Sequence, residues 1–253
     1  MTSPAEPRPD GRGHYSYTHY ANTQVAEGFD ALRFGGEVGR FLLEQQAALL
    51  DDATAPAAGR RIVDVGTGTG RAAIGLAQAG AQVVGFDASS EMLGVARQRA
   101  AAAGVDVSFA VGDAHALPLP DRDADVTVCL RVLMHAIDWE RCLGELCRVA
   151  RWRVVFDYPS ASSAAAIESA VRRRQLRRGR PVEAYRVFSD REIDAVLARH
   201  GFRVVTRRKQ FVLPIALHKG VGWFRLTHGL ERVLAAGGVL RRFGSPVTVV
   251  AER

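Results

Sequence analysis

Residues 61–71 read R-I-V-D-V-G-T-G-T-G-R, and no other stretch restricts the fold so sharply. Ile62, Val63 and Val65 form a short apolar run that ends in glycine, as expected of a strand buried on both faces of a parallel sheet. Gly66, Gly68 and Gly70 then let the backbone turn sharply and approach a ligand with no Cβ in the way. Ala72 to Gln78 follows with helical composition, and Ile74 and Leu76 supply its apolar contacts. A strand, a glycine turn and a helix place a cofactor at a helix N-terminus, where free N–H groups point at it. The spacing is G-x-G-x-G rather than G-x-G-x-x-G, and Asp64 stands just ahead of the first glycine. A glycine loop alone is a weak signal, so its surroundings decide what it holds.

Gln82 to Phe86 (Q-V-V-G-F) reads as a second buried strand, with Asp87 at its C-terminal end, 21 residues after Gly66. An acidic residue there can accept hydrogen bonds from both hydroxyls of a ribose. Ser89, Ser90 and Glu91 open a helix, with hydroxyls to cap it and an acid in its first turn. A third apolar strand, Val105 to Val111, leads into Gly112-Asp113-Ala114. D-V-G-T-G-T-G, then F-D-A-S, then G-D-A, in this order, resembles class I S-adenosylmethionine-dependent methyltransferases, especially the ubiquinone/menaquinone C-methylase-like (methyltransferase type 11) subgroup. The strong part of the resemblance covers roughly residues 60 to 158. A nicotinamide cofactor would prefer the longer glycine spacing and would not predict the G-D-A turn.

The resemblance implies S-adenosyl-L-methionine as cofactor and assigns residues to it. Asp64 would meet the cofactor amino group, Asp87 the ribose, and Asp113 the adenine N6, with the Ala114 N–H donating to the ring. Gly66, Thr67, Gly68 and Gly70, together with Ala88, Met92 and Arg131, complete the implied cofactor set. In the N-terminal region, Tyr20 and Arg33 match the tyrosine and arginine that reach the cofactor's methionine end in this subgroup. Each has a plainer reading. Asp64 would only steady the turn, Asp87 cap a helix, Asp113 sit in solvent, Tyr20 pack and Arg33 be solvated. His135, in the turn after the fourth strand, is the candidate general base for an acceptor hydroxyl, with packing as its alternative.

With 253 residues, the chain can form one α/β domain with elaborations. The expected fold is a Rossmann-like, doubly wound seven-stranded sheet, mostly parallel with an antiparallel edge strand, plus helical insertions capping the acceptor. Met1 to about Gly13 reads as a disordered leader, so residues 1–14 precede a single domain at 15–253. Within it, 15–58 form an N-terminal cap, including an amphipathic helix from Gly39 to Leu50, and 60–158 the cofactor-binding core. Val126 to Leu130, Val154 to Phe156, Phe202 to Leu213 and Val247 to Ala251 supply strands four to seven. The subgroup usually places a Pro-Gly-Gly turn before strand five, and Arg151-Trp152-Arg153 stands there instead, making the entry to strand five tighter. Ser189-Asp190-Arg191-Glu192 is a capping box. Segments 160–188 and 214–245 are expected to fold over the strand ends and form the acceptor cavity. They supply Arg172–Arg174, Arg177, Arg178, Arg180, Tyr185, His218, Trp223, Phe224 and His228.

Charge is unevenly placed. Residues 1–150 carry 13 Arg against 19 Asp/Glu, whereas 151–253 carry 21 Lys/Arg against 8 acids, a net of +13. Arginines beside apolar residues suit a lipophilic acceptor with an anionic group, or weak docking on an anionic membrane. If 161–178 is helical, Arg173, Arg177 and Arg180 share one face. No RNA-binding module or basic tail stands out, so nucleic acid is disfavoured. Cys129, Cys142 and Cys147 sit in apolar contexts, which suits reduced thiols in a cytosol better than disulfides or zinc. No membrane span or secretory start is visible, so a cytoplasmic enzyme, peripheral at most on the inner membrane face, is expected. No metal-ligand constellation is present, and oligomeric state is not encoded in any motif. Methyl transfer to a small hydrophobic, aromatic or isoprenoid acceptor, on carbon or oxygen, is the expected activity. A non-catalytic cofactor-binding or partner-regulating subunit is the alternative.

Overall fold

Side-chain alternation along the strands sets the layers. The computed structural model describes residues 35–180, 182, 185–214, 217–218 and 224–253. The leader, Tyr20, Arg33 and Trp223 lie outside them. In chain order the elements are α1 (Gly36–Thr54), β1 (Arg61–Val65), α2 (Arg71–Gln78), β2 (Gln82–Asp87), α3 (Ser90–Ala102), β3 (Val107–Val111) and β4 (Ala124–Cys129). A short 3-10 turn at Leu133–His135 leads to α4 (Trp139–Val149), β5 (Ala150–Tyr158), α5 (Ala164–Arg177) and α6 (Asp190–Arg199). The chain closes with β6 (Arg203–Phe211), α7 (Phe224–Ala236), α8 (Val239–Phe243) and β7 (Ser245–Glu252).

Ile62, Val126, Val128 and Val155 face one side of the sheet, where Leu50 and Ala53 of α1 and Ala73 and Leu76 of α2 cover them. Val63, Val65, Val154 and Phe156 face the other, against Leu143 and Leu146 of α4 and Ile193 and Leu197 of α6. Both faces are therefore dry, which is why these strands read as unbroken apolar runs. All three cysteines are buried and free in this interior. Burial pushes the Cys147 thiol up to about 12, so it packs as a small apolar group.

The seven strands stand in the order β3-β2-β1-β4-β5-β7-β6. β1 to β5 are parallel, and β7 runs antiparallel to both β5 and β6. The reversed strand thus lies one place in from the rim, with β6 as the edge itself. The chain leaves β1 in one direction and returns at β4 in the other. That reversal opens a crevice at the carboxyl ends of β1 and β4, the place where open α/β sheets hold ligands.

Two sequence expectations change. First, strand five starts before Val154: β5 begins at Ala150 directly after α4, so its entry is tight, as expected, and Arg151, Trp152 and Arg153 lie within it. Strand geometry then points Arg153 at α1: its Nη1 donates to the Ala53 carbonyl at 2.7 Å, and its Nε donates to Glu252 Oε1 at 3.0 Å. Its guanidinium also lies 3.9 Å from the Trp152 ring centroid. This clamp fixes the C-terminal end of α1 on the sheet. Second, α5 stops at Arg177, because Gly179 adopts φ 74° and the Arg180 N–H folds back to the Gln175 carbonyl at 3.1 Å. Arg180 therefore leaves the helical face it was expected to share with Arg173 and Arg177.

The expected capping box is present. Ser189 Oγ accepts from the Glu192 N–H at 3.3 Å, and Glu192 Oε2 accepts from the Ser189 N–H at 2.8 Å. We expect Ser189→Ala to lower unfolding free energy by about 1 kcal/mol. Leu143→Ala, which empties a fully buried site, should cost about 2–5 kcal/mol. Urea denaturation measures both, and equal losses would contradict this division between capping and packing.

Candidate active site

The glycine turn folds as it does because Phe86 and Asp87 hold it from the next strand. The Gly66 and Thr67 N–H groups both donate to the Phe86 carbonyl, at 2.7 and 2.9 Å. The Gly68 N–H donates to Asp87 Oδ2 at 2.8 Å, while Asp87 Oδ1 accepts from the Ser89 N–H at 2.9 Å. Gly66 has φ 70°, and a Cβ there would lie 2.1 Å from Val132 Cγ2, so only glycine fits. Gly68 has φ 56° with nothing within 4 Å of a built Cβ, so the backbone is open where it borders the site.

A cavity of about 360 Å³ lies against this turn. Asp64, Gly66, Thr67 and Gly68 line it from the first loop, and Asp87, Ala88 and Met92 from the second. Ala114, Arg131 and His135 line it from the next two turns. Helix α1 roofs it with Leu43, Gln46, Ala47, Leu50 and Asp51. Met92 is held by Ser89, whose Oγ accepts from the Met92 N–H at 3.1 Å while capping α3.

Two expected residues are placed differently. Gly70 is absent from the wall; it caps α2 at φ 80°, with a built Cβ 3.0 Å from Ala96 Cβ, so its role is close packing. Asp113 is largely exposed, and its Oδ1 accepts from the His115 N–H at 2.8 Å within its own turn. An aspartate bonding the backbone two residues on makes an Asx turn, and that turns the carboxylate away from the cavity wall. Gly112, Ala114 and His115 face the cavity from this segment instead.

Arg131 ends β4 in the left-handed region, φ 65°, a rare conformation for a residue with a Cβ. Its N–H donates to Asp157 Oδ1 at 2.5 Å, which locks the turn carrying Val132 and His135 beside β5. A second cavity of about 390 Å³ adjoins the first at Gln46, Arg131 and His135. Its walls include Leu42, Met134, Phe211, Leu213 and Pro214, with Glu168 and Arg172 of α5 and Tyr185 as polar members. Of the residues expected from the two insertions, Arg172 and Tyr185 line it. His218 is buried elsewhere, with Nδ1 2.9 Å from Thr227 Oγ1 and Nε2 3.3 Å from Glu231 Oε1. His228 stacks edge-on against Phe41, ring centroids 4.9 Å apart.

No residue pattern marks the α1 contribution. Leu43, Gln46 and Ala47 belong to an ordinary amphipathic pattern, and only the Arg153 clamp and the sheet place that helix over the crevice. For His115 the only local signal is the D-x-H spacing after Gly112.

Two carboxylates face the first cavity from buried positions. Desolvation raises Asp64 to about 6, against the Thr67 Oγ1 donor at 2.6 Å, which lowers it, and with the nearby Asp87 charge adding to the rise. Desolvation also raises Asp87, opposed by the N–H groups of Ser89, Gly68 and Ala88. Such a wall favours a ligand bearing positive charge.

The Asp64 shift has a measurable consequence. Its folded pKa of about 6 lies above the ordinary aspartate value of 3.8, so the folded state holds the proton more tightly. Its contribution to stability is complete below about pH 4 and is lost as pH rises through about 6, a change of roughly 2–4 kcal/mol. The stability difference between the native chain and Asp64→Asn should therefore fall over that interval. Chemical denaturation at several pH values checks this, and a pH-independent difference would contradict it.

Residues 62–152 match the family model of a methyltransferase domain. A demethylmenaquinone methyltransferase of Thermus thermophilus is 44% identical over 92 residues, 36% of this chain and 42% of that protein. A methyltransferase of Streptomyces halstedii is 34% identical over 136 residues, 53% of this chain and 46% of that one. The chain thus spans less than half the length of these curated relatives. Among solved structures, magnesium protoporphyrin IX methyltransferase from Synechocystis PCC 6803 with bound SAH aligns with a TM-score of 0.64. The alignment covers 94% of this chain and 99% of that one at 20% identity, a likeness of fold. The [4+2]-cyclase SpnF aligns at TM-score 0.58 and 20% identity, covering 83% and 80%. Residues 62–152 thus match a methyltransferase domain, and the chain as a whole is similar in fold to methyltransferases that bind S-adenosylmethionine.

Proposed function

We propose that the first cavity binds S-adenosyl-L-methionine and that its methyl group passes to a small, largely apolar acceptor in the second. The observation that carries this reading is the junction of the two cavities at Gln46, Arg131 and His135, beside the glycine turn. The cavity suits the cofactor: Gly68 leaves the wall open, Asp87 offers carboxylate oxygens at the end of β2, and Asp64 is a desolvated acid. When bound, the cofactor supplies an electrophilic methyl group on a cationic sulfonium.

The chain's own residues do the rest. Asp87 accepts from the ribose, Asp64 faces the cationic end, and Ala114 borders the adenine region. Tyr20 and Arg33, outside the described residues, stay assigned to the methionine end by resemblance. Asp113 keeps its adenine assignment by resemblance. His135 stands where the cavities meet and takes the proton from an acceptor oxygen or activated carbon. The apolar second cavity excludes water and aligns the acceptor; positioning of this kind is worth roughly 7–11 kcal/mol. The demethylmenaquinone named for the Thermus thermophilus relative supports a hydrophobic, ring-containing acceptor.

Calorimetry with S-adenosylmethionine and its demethylated product tests cofactor binding, and no heat with either would overturn the reading. Asp87→Ala should weaken binding about a hundredfold, since two charge-assisted hydrogen bonds are lost. His135→Gln should leave cofactor affinity intact and slow turnover by roughly 10²–10⁴. Unchanged turnover from about pH 6 to 9 would return His135 to packing. Labelled methyl transfer into a metabolite extract separates an enzyme from a cofactor-binding subunit.

A further inference from the structure

Helix α5 has two different faces. Ala164, Ala165, Glu168 and Arg172 line the second cavity. About a quarter-turn round the helix from them, Ile167 and Val171, one turn apart, are 71% and 50% exposed. Arg174 continues their stripe at i+7, and Arg177 flanks it. Large apolar side chains left in solvent on one helix face mark a contact surface.

The charge around that stripe has one sign. From Ser169 to Arg180 there are six arginines and no acid. Arg172 pairs with Glu168 at 2.8 Å, on the cavity side. Arg173, Arg174, Arg177 and Arg178 are exposed, and none pairs with an acid among the described residues. The neighbouring surface repeats the pattern. Ser162 Oγ donates to the Arg242 carbonyl at 3.0 Å, which sets α8, with exposed Arg241, Arg242 and Phe243, beside the start of α5.

We infer that the outer face of α5, together with α8, docks on an anionic lipid bilayer. Ile167 and Val171 enter the headgroup boundary, and the arginines meet lipid phosphates while their stems stay apolar. Charge complementarity favours this partner: exposed cations without acidic neighbours cost little to bring to a negative surface, and the apolar pair gains by leaving water. Docking there sets a wall of the second cavity against the membrane, so an apolar acceptor reaches it without crossing bulk water. The proposal deepens the proposed acceptor class, yet docking itself needs no bound cofactor.

The test is co-sedimentation of the full chain, without cofactor, with phosphatidylcholine vesicles containing or lacking phosphatidylglycerol, at low and high salt. Binding is expected on the anionic vesicles alone and should fall steeply with salt. Each arginine contributes about fivefold, so Arg174→Gln/Arg177→Gln/Arg178→Gln should weaken binding about a hundredfold. Ile167→Ser/Val171→Ser should weaken it while leaving the salt dependence in place. These residues are exposed, so circular dichroism should show all variants folded. Equal recovery with neutral and anionic vesicles, or full binding by the serine variant, would overturn the proposal. So would tight capture by polyuridylate with no vesicle binding, which would assign the face to nucleic acid. Cofactor calorimetry on the same preparation separates this outcome from failure of the methyl-transfer reading.

Discussion

One carboxylate ties the first two loops of the sheet together. Asp87, at the end of β2, accepts the Gly68 N–H through one oxygen and the Ser89 N–H through the other. The first bond fixes the glycine turn after β1, and the second fixes the start of α3. Both loops are otherwise free ends of parallel strands, with backbone donors that must be satisfied. The positive φ angles at Gly66 and Gly68 are held in place by these bonds and by the Phe86 carbonyl. Desolvation of Asp87 is the cost of this arrangement, and three backbone donors offset it. The carboxylate therefore shapes the cavity before any ligand arrives, which is preorganisation in its simplest form.

The remaining walls follow from the order of the strands. Reversal between β1 and β4 leaves a crevice, and Arg131, in its left-handed conformation, turns the chain so that His135 borders both cavities. Asp157 of β5 receives the Arg131 N–H, so a strand buried in the core fixes a turn at the surface. On the far side, α1 is held by the Arg153 clamp and lowers Gln46 to the same junction. Three residues from two segments distant in sequence, α1 and the turn after β4, thus meet where donor and acceptor would meet. Methyl transfer needs little from side chains beyond such alignment.

Much of this was legible in the residues. Short apolar runs ending at Gly66 and Asp87 can only be buried parallel strands, and the glycine pattern fixes the turn between strand and helix. The Ser189 capping box reads directly because its two hydrogen bonds are local. What stayed hidden depends on long-range placement. From its residues Arg153 reads only as part of the entry to strand five, because its partners, Ala53 and Glu252, lie about a hundred residues away in either direction. Gln46 looked like an ordinary polar position on an amphipathic helix. Asp113 carries an adenine assignment by resemblance, and its bonds to His115, two residues on, are a local effect that family resemblance does not show. The outer stripe of α5 differs from the expected arginine face by one helix end, set by Gly179.

The central claim is that the cofactor and acceptor occupy separate cavities meeting at Gln46, Arg131 and His135. A crystal structure of the chain with the demethylated cofactor bound tests it most directly. The account predicts the ribose at Asp87 and the sulfur at the junction, directed toward the second cavity. A cofactor seated among Met134, Glu168 and Tyr185, or a sulfur directed away from His135, would contradict it.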